Sequence, residues 1–313
     1  MDISVVIPLY NKKDTIERAL ESVRHQSLQP KEIIVVNDGS TDGSEKIAEA
    51  MNVPDLRIIH QQNAGVSAAR NRGIYEAESE WIAFLDADDE WMSDFLETIR
   101  SLQGRFSECT VCATAYRLGD QKGNTRPIVL KRLPFIQDGV LSNYFEVASC
   151  SSPPICSSAV CVKKTSFDAV GGFPEGIRSG EDLLTWARLA ASNNIAYTIQ
   201  PHAIFWQDPA HTYQNKPSRT PQKNDLVGRE LQSIKMSSLK NIDGIDHYIA
   251  QWHKMRASIY LRLNIRWYTI EECLKSLRHR LLNPPVYAYL ALCVLPDSIV
   301  QTIFKHAGKN CPS

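Results

Sequence analysis

The feature that most constrains the fold is a regular alternation of short apolar runs and amphipathic segments over the first ninety residues. Apolar runs occupy residues 3–7, 32–36, 56–59 and 81–85, and segments with helical spacing lie between them at residues 15–23, 45–51 and 66–76. Continuous apolar strands joined by helices are typical of a parallel sheet that is covered on both faces. The sequence therefore predicts an α/β fold with a mostly parallel central sheet.

Three of these strands end in polar clusters. Tyr10-Asn11 follows the first strand, Asn37-Asp38 follows the second, and Asp86-Ala87-Asp88-Asp89 follows the fourth. Ligands of open parallel sheets bind at the carboxyl ends of the strands. We therefore expect a ligand site where the three clusters meet.

The acidic cluster Asp86-Ala87-Asp88-Asp89 indicates a divalent cation. Carboxylates this close repel one another, and a bound cation removes the repulsion. Oxygen ligands suit Mn²⁺ or Mg²⁺, which is held by one or two carboxylates together with substrate phosphates. The alternative is a solvated acidic turn before the next helix, but the position directly after a buried strand favours the metal.

Two further segments at this edge carry groups that suit a nucleotide. Asp38 offers a carboxylate to a base N–H or a ribose hydroxyl, although an Asx turn before a helix explains the same stretch. Residues 63–73 contain Arg70 and Arg72. One of them could pair with a diphosphate, and the helix N-terminus adds amide donors; taken singly, each is an ordinary surface arginine.

Glu181-Asp182 lies near the start of a predicted helix, far along the chain from the first acids. A carboxylate at this point can act as a general base if the fold brings it to the substrate. Acids in the first turn also compensate the helix dipole, which is a common structural use. Alone, this pair is a weak indicator of function.

Together, these segments resemble family 2 glycosyltransferases. The likeness rests on four stretches in the family's order, at residues 4–11 (SVVIPLYN), 32–42 (EIIVVNDGSTD), 63–73 (NAGVSAARNRG) and 81–91 (WIAFLDADDEW). Gly180-Glu181-Asp182 matches the family's later ED motif. The strong likeness covers residues 3–92, with a looser one to residue 215.

The resemblance implies a GT-A fold, a Rossmann-like nucleotide-diphospho-sugar transferase with a helical C-terminal extension. It implies Asp182 as catalytic base, with Glu181 beside it to position the acceptor. It further implies a Mn²⁺ or Mg²⁺ ion at a DxD motif, with Asp86, Asp88 and Asp89 as candidate ligands. His211 is a further candidate contact to the diphosphate or metal, against the alternative of a surface-loop histidine. The residues implied for the nucleotide-sugar site are Pro8, Tyr10, Asn11, Asp38, Asn63, Arg70, Asp86, Ala87 and Asp88.

The function implied is inverting transfer of one sugar, hexosyl or N-acetylhexosaminyl, from a nucleotide-diphosphate sugar, with UDP-sugars favoured. The acceptor would be a hydroxyl of a glycan or a lipid-linked molecule in cell-surface polysaccharide or lipopolysaccharide synthesis. Processive synthases of the family carry a QxxRW-type motif after the ED motif, and this chain has Trp186-Ala187-Arg188 there. A nucleotidyltransferase is the first alternative, but the glycine-rich phosphate loop is missing after the first strand. The second alternative is an inactive nucleotide-sugar binding protein, but the presence of Asp86, Asp88 and Asp182 argues against it.

The domain organisation predicted is a GT-A domain at residues 1–220, with a nucleotide-sugar half at 1–105 and an acceptor half at 106–220, followed by a helical region at 221–313. In that region, residues 286–295 are consecutively apolar, too short a run for a bilayer span of about 20 residues. It predicts either a buried helix pair or an interfacial segment on an anionic membrane. The bases that support the second alternative are Lys275, Arg278, Arg280, Lys305 and Lys309.

Charge and cysteine content limit the partners and the cellular location that we expect for the protein. The chain has 35 basic and 35 acidic residues, a balance that argues against a nucleic-acid partner. The charges are unevenly distributed: residues 1–100 carry a net charge of 10 − 19 = −9, and residues 251–280 carry a net charge of 7 − 2 = +5.

The first residues lack the basic region of a signal peptide and predict a strand. We therefore expect reduced cysteines in a cytoplasmic protein, with peripheral attachment to the cytoplasmic membrane face as the alternative, and Cys109 and Cys112 in a buried strand rather than at zinc.

Overall fold

The central strand is β1 (Ile3–Leu9), and every residue in it is buried. The computed structural model describes residues 1–207, 217–237, 239 and 241–310. β1 pairs in parallel with β2 (Glu32–Asn37) on one side and with β4 (Trp81–Phe84) on the other, and β3 (Leu56–His60) extends the sheet beyond β2. These four strands follow the predicted apolar runs.

Strand β1 continues two residues beyond its predicted end, through Pro8 to Leu9. Proline lacks the backbone N–H that a ladder needs and is normally confined to strand edges. Here β4 ends at Phe84, which lies opposite Val6, so the missing N–H removes no bond to β4. Pro8 still aligns with Val36 of β2, and the strand carries the polar residues that follow it to the sheet edge.

Three helices cover this half of the sheet: α1 (Ile16–Arg24), α2 (Ser44–Ala50) and α3 (Val66–Glu76). Helix α3 approaches β1 closely, because a Cβ on Gly73 would lie 2.2 Å from Val6 Cγ1. The sequence therefore needs glycine at this position of α3. The close approach fixes the depth of α3 and of the side chains it carries toward the strand ends.

The second half of the sheet mixes strand directions. The strand order is β3-β2-β1-β4-β9-β6-β10-β5, in which β9 runs antiparallel to both neighbours and β6 runs parallel to β10. Parallel pairing provides the longest ladders, and the predicted α/β class with a mostly parallel sheet is confirmed. The remaining elements of this half are β5 (Glu90–Trp91), α4 (Phe95–Arg105), β6 (Val111–Gly119), β7 (Thr125–Pro127), β8 (Asp138–Val140), α5 (Tyr144–Cys150), β9 (Val160–Lys163), α6 (Lys164–Val170), α7 (Glu181–Ser192) and β10 (Ile195–Trp206).

Cys109 and Cys112 are both buried, and Cys112 lies in β6 opposite Cys161 of β9. Burial raises the pKa of the Cys112 thiol, which disfavours the thiolate that zinc requires. Neither cysteine belongs to a group of three possible metal ligands among the described residues. The buried-strand interpretation of this CxxC sequence is therefore the one that the packing supports.

The chain divides into two compact units. Unit 1 comprises Met1–Trp206 with Leu239–Asn241, and unit 2 comprises Gln207–Ser238 with Ile242–Ser313. The predicted boundary at residue 220 stays a prediction. Helices α8 (Leu226–Met236), α9 (Ile245–Arg262), α10 (Arg266–His279), α11 (Pro284–Leu292) and α12 (Asp297–Asn310) form unit 2. In the described part of the chain, no helix combines the length and apolar character needed to cross a membrane.

Candidate active site

The carboxyl ends of β1 and β2 form a polar rim. Tyr10 is half-exposed, and Asn11 adopts a left-handed backbone with φ of 51°. The Asn11 side-chain oxygen accepts a hydrogen bond from Thr41 N at 2.8 Å, and Asn11 N donates to Ser40 Oγ at 3.1 Å. Asn11 therefore ties the loop after β1 to the loop after β2, and leaves Tyr10 facing solvent at the rim.

Asp38 is buried and organises the segment before α3. Its Oδ1 accepts hydrogen bonds from Gln61 Nε2 at 2.7 Å and from Ala64 N at 2.9 Å, and its Oδ2 accepts one from Gly65 N at 2.8 Å. Asn63 Nδ2 donates to the backbone oxygen of Asp38 at 3.0 Å. Both predicted nucleotide residues therefore shape the rim, and a direct contact of either with a base stays a prediction.

The acidic turn after β4 is held by the loop that follows β1 and by helix α1. Thr15 Oγ1 donates to the backbone oxygen of Ala87 at 2.9 Å, and Arg18 Nη2 donates to the backbone oxygen of Asp88. Lys12 Nζ lies 2.5 Å from Asp88 Oδ2, and both side chains are partly exposed. Asp88 therefore presents its carboxylate at the surface of the turn, with a lysine as its partner.

Asp89 points the other way, into the protein. Only 1% of it is exposed, and its oxygens accept hydrogen bonds from Ser158 Oγ at 2.5 Å and from Trp206 N at 2.9 Å. Burial and the charges of Asp86 and Asp88 raise the pKa of Asp89 well above its usual value. Of the three acids predicted as candidate metal ligands, Asp89 is thus the one placed to anchor the turn.

Arg70 is a buried cation between two groups of acids. Its Nη2 donates to Asp86 Oδ1 at 2.7 Å, its Nη1 lies 3.9 Å from Glu181 Oε1, and only 4% of the side chain is exposed. Burial would lower the pKa of Arg70, but Asp86, Glu181 and Asp182 raise it. The guanidinium Nε and Nη1 make no hydrogen bond in the described structure. Arg70 therefore links the DxD turn to the ED pair, rather than facing solvent.

The segment before α7 is fastened to α3 by the neighbour of Arg70. Asn71 Nδ2 donates to Phe173 O at 2.9 Å, and Phe173 N donates to Asn71 Oδ1 at 2.8 Å. Gly172 has φ of 68°, and a Cβ there would lie 2.7 Å from Asn71 Oδ1. The Phe173 ring lies under the Arg70 guanidinium at 5.1 Å. This clamp places the acids of α7 beside residues far earlier in the sequence.

Glu181 and Asp182 open helix α7 after Gly180, which has the left-handed conformation. Burial and the neighbouring charge of Asp182 raise the pKa of Glu181 to about 7, although Arg70 opposes the shift. Burial, and to a lesser degree Asp86, also raise the pKa of Asp182. A carboxyl pair whose pKa values are raised is suited to accept a proton.

The donor set at the acidic turn fits a divalent cation. Asp86 and Asp88 offer hard carboxylate oxygens, as Mn²⁺ and Mg²⁺ require. Burial and the negative charges of these two acids raise the pKa of Asp89. Lys12 is the partner of Asp88 and Arg70 is the partner of Asp86, and a cation held by the two acids would add positive charge at the same turn.

A second group of possible ligands lies in unit 2. Oxygens of Asp225 and Glu272 and a nitrogen of His253 lie within 4.8 Å of one another. However, Arg256 Nε lies 3.5 Å from Asp225 Oδ2 and 3.1 Å from Glu272 Oε2. The guanidinium supplies the positive charge that a metal would bring, so this group fits a buried ion-pair network better than a metal centre.

The structure brings most of the predicted residues to one edge of unit 1, whereas His211 lies outside the described residues. Lys12, Arg18, Ser158 and Phe173 were not predicted, and each contacts a predicted residue. For Lys12 a signal existed, because a cation follows Asn11 directly at a strand end. For Ser158 no local pattern indicates a contact with Asp89, 69 positions away.

The known proteins to which this chain is similar are described as glycosyltransferases. Residues 4–151 match the family model described as Glycosyl transferase family 2. The putative teichuronic acid biosynthesis glycosyltransferase TuaG of Bacillus subtilis is 38% identical over 236 residues, which are 74% of this chain and 89% of TuaG. The uncharacterized glycosyltransferase YibD of Escherichia coli is 48% identical over 102 residues, 32% of this chain and 30% of YibD. The chain spans under a third of the length of YibD and of a similar Rickettsia felis protein.

Solved structures share the fold. The crystal structure of S. aureus TarS 1-349 in complex with UDP-GlcNAc has a TM-score of 0.64 and 18% identity, covering 99% of this chain and 92% of that one. This likeness supports the predicted GT-A arrangement of the fold. The match with TuaG extends over most of both chains, and the resemblance seen in the sequence motifs is thereby confirmed. The chain belongs to glycosyl transferase family 2.

Proposed function

We propose that the chain transfers one sugar from a nucleotide-diphosphate sugar to an acceptor hydroxyl, with inversion at the anomeric carbon. The observation that carries the proposal is the meeting of Asp86, Arg70 and Glu181, with Asp182 beside them, across 112 positions of sequence. One such site contains both the acids for a diphosphate-bound cation and a candidate base. The groups that would stabilise the leaving diphosphate and the group that would deprotonate the acceptor therefore lie within one cluster.

On the donor side, Pro8, Tyr10 and Asn11 would line the nucleotide pocket at the end of β1. Asp38 and Asn63 shape the adjoining rim, and each would add a polar contact to base or ribose. A UDP-sugar is favoured, because the similar TarS structure holds UDP-GlcNAc. Hexosyl and N-acetylhexosaminyl donors both remain candidates for the experiment below.

At the diphosphate, Asp88 and Asp86 would hold Mn²⁺ or Mg²⁺, and such an ion stabilises the charge that develops on a leaving diphosphate. Side chains of this protein also supply positive charge at this turn. Lys12 and Arg18 lie at the same turn, where their charges favour an anion. Ala87 is fixed by Thr15, so the turn keeps its shape while a donor binds.

On the acceptor side, Asp182 would act as the general base, with Glu181 positioning the acceptor hydroxyl. The acceptor oxygen forms a bond to the anomeric carbon while the bond from that carbon to the diphosphate oxygen breaks. The acceptor proton passes to the carboxylate, and the electron pair leaves with the diphosphate. Because a single displacement occurs, the configuration inverts. Glu181 would position the hydroxyl as a hydrogen-bond acceptor in its ionised form, and its pKa is raised to about 7, so we expect a rate that rises with pH up to about neutrality.

For the acceptor, we propose a hydroxyl of a glycan or of a lipid-linked carbohydrate in cell-surface polysaccharide or lipopolysaccharide synthesis. The proposal is supported by TuaG, whose name refers to teichuronic acid biosynthesis.

The test is release of nucleoside diphosphate from a panel of UDP-, GDP- and dTDP-sugars, with Mn²⁺, Mg²⁺ or EDTA, in the presence of mono- and oligosaccharide acceptors. We expect metal-dependent release from one nucleotide class, and release that is at least a hundredfold slower in Asp182→Asn. Equal release by wild type and Asp182→Asn with every donor would contradict the assignment of the base. Product stereochemistry, read by NMR, tests inversion directly.

A further inference from the structure

Helix α11 and the two turns beside it expose an apolar surface. Within α11 only Val286 is buried, and the helix contains no charged side chain. The exposed fraction is 85% for Leu282 and 84% for Val294, whereas the outer side of a helix in a water-soluble protein is normally polar. The α11 face is defined by Leu281, Leu282, Tyr287, Ala291, Val294 and Leu295.

Polar contacts hold both turns of the α11 face in place. Buried Asn283 donates from Nδ2 to Ser276 Oγ at 3.2 Å, and the Tyr287 hydroxyl donates to Leu281 O at 3.0 Å. At the other end, Arg266 Nη2 donates to Leu295 O at 3.1 Å. The exposed leucines and valine are therefore presented by an ordered backbone. Because α11 rises by about 14 Å, both turns can touch one flat surface.

The surroundings of the α11 face are positively charged. No acidic residue occurs from residue 273 to residue 296. Arg278 and Arg280 are exposed and form no ion pair with any residue that the structure describes, whereas Lys275 is paired with Glu271 at 2.6 Å. Burial and the nearby charge of Arg280 lower the pKa of Lys254. Cations thus lie close together beside exposed leucines, and residues 273–296 contribute no acid to balance them.

We propose that the α11 face docks on an anionic lipid bilayer. Apolar side chains would enter the headgroup region, while Arg278 and Arg280 would contact lipid phosphates, as in interfacial segments generally. A second copy of this chain fits less well, because residues 273–296 contain no acid that could pair with these arginines across a twofold contact through this face. The inference goes beyond sugar transfer and does not depend on it.

The experiment is flotation of the full chain with vesicles of phosphatidylcholine alone or with 30% phosphatidylglycerol. We expect binding to the anionic vesicles and at least tenfold weaker binding to the neutral ones. The paired changes Leu281→Ser with Leu282→Ser, and Arg278→Glu with Arg280→Glu, should each weaken binding at least tenfold. Added salt should weaken binding of the wild type as well.

Matched controls lie in unit 1. Ile136 is 89% exposed, and Lys31 and Arg100 are exposed bases; Ile136→Ser, and Lys31→Glu with Arg100→Glu, should leave binding unchanged. Absence of binding to anionic vesicles would overturn the proposal, as would binding that neither paired change at the α11 face weakens. A dimer in sedimentation velocity that the leucine changes dissociate, without vesicle binding by wild type, would assign the face to a second copy. Donor-induced thermal stabilisation should persist in every variant, which separates this result from the proposed function.

Discussion

Each compact unit contains a cluster of acids that are at least partly buried. The pKa of a glutamate in the cluster is lowered in unit 2 and raised in unit 1. In unit 2, Glu272 is paired with His253 at 2.7 Å and with Arg256 at 3.1 Å. Burial alone would raise the pKa of Glu272, but these partners lower it to about 2. In unit 1, burial and the neighbouring Asp182 raise the pKa of Glu181 to about 7, although Arg70 opposes this shift.

The difference distinguishes acids whose surroundings suit a structural role from acids whose surroundings suit a reactive one. Asp225 illustrates the structural use, because it also caps α8 by accepting a hydrogen bond from Gly228 N at 3.0 Å. An acid whose charge is fully balanced by the fold stabilises that fold and has little tendency to take up a proton. An acid left with too little compensating charge costs stability, but it can accept a proton or help to hold a cation.

The largest expected effect is on catalysis, in Asp182→Asn. Loss of a general base lowers the rate by about 10²- to 10⁴-fold, and we expect kcat to fall within that range. Because the fold raises the pKa of Asp182, its ionisation does not stabilise the fold, and the variant should not be less stable at pH 7. Steady-state kinetics together with urea unfolding check both statements. A large loss of stability would place Asp182 among the structural acids and break the comparison.

The counterpart is Glu272→Gln in unit 2. Removing one member of a buried ion-pair network costs about 3–5 kcal/mol, because His253 and Arg256 lose their partner. We expect this loss in the free energy of unfolding, measured with urea, and a kcat within about threefold of wild type at a temperature where the variant is folded. An unchanged stability would show that the network contributes nothing, and a lost kcat in the folded variant would show that unit 2 takes part in the chemistry.

Stability should depend on pH with opposite signs at the two sites. The pKa of Glu272 is lowered from 4.5 to about 2, so its stabilisation is present above pH 4.5 and is lost as the pH falls toward 2, about 3 kcal/mol in all. The pKa of Glu181 is raised from 4.5 to about 7, so its ionisation removes stability as the pH rises through that window.

Urea unfolding of wild type, Glu181→Gln and Glu272→Gln between pH 3 and pH 8 measures both signs. Relative to wild type, Glu181→Gln should gain stability as the pH rises from 4.5 to 7. The deficit of Glu272→Gln should shrink as the pH falls below 4.5. If the free energy of unfolding changed with pH in the same way in all three proteins, the opposite pKa shifts of Glu181 and Glu272 would be contradicted.

The smallest effect is expected for Lys12→Met. The pair of Lys12 with Asp88 is partly exposed, and exposed pairs contribute about 0.5 kcal/mol. We therefore expect little change in stability, but a several-fold higher KM for the donor, because a cation near the diphosphate is lost. Lys13→Met, at an adjacent exposed lysine without an ion pair among the described residues, is the matched control. An equal KM for both variants would show that Lys12 does not act at the donor.

Local patterns predicted the first half of the fold and its polar strand ends, because strand burial and turn chemistry depend on near neighbours in sequence. The meeting of Asp86 with Glu181 followed only from the family resemblance. It depends on the clamp between Asn71 and Phe173, which no periodicity reveals. Likewise, the apolar run at residues 286–295 did not say which side would face solvent; in α11 only Val286 turned out to be buried.

The most direct measurement is calorimetric titration of nucleoside diphosphates into wild type and Asp88→Asn, with Mn²⁺ or with EDTA. We expect one nucleotide, UDP by preference, to bind with Mn²⁺, and its binding to weaken at least tenfold with EDTA or in Asp88→Asn. Glu272→Gln, with its altered network in unit 2, should bind as wild type does. Nucleotide binding that is independent of metal and unchanged in Asp88→Asn would contradict the claim that the under-compensated acids of unit 1 form the donor site.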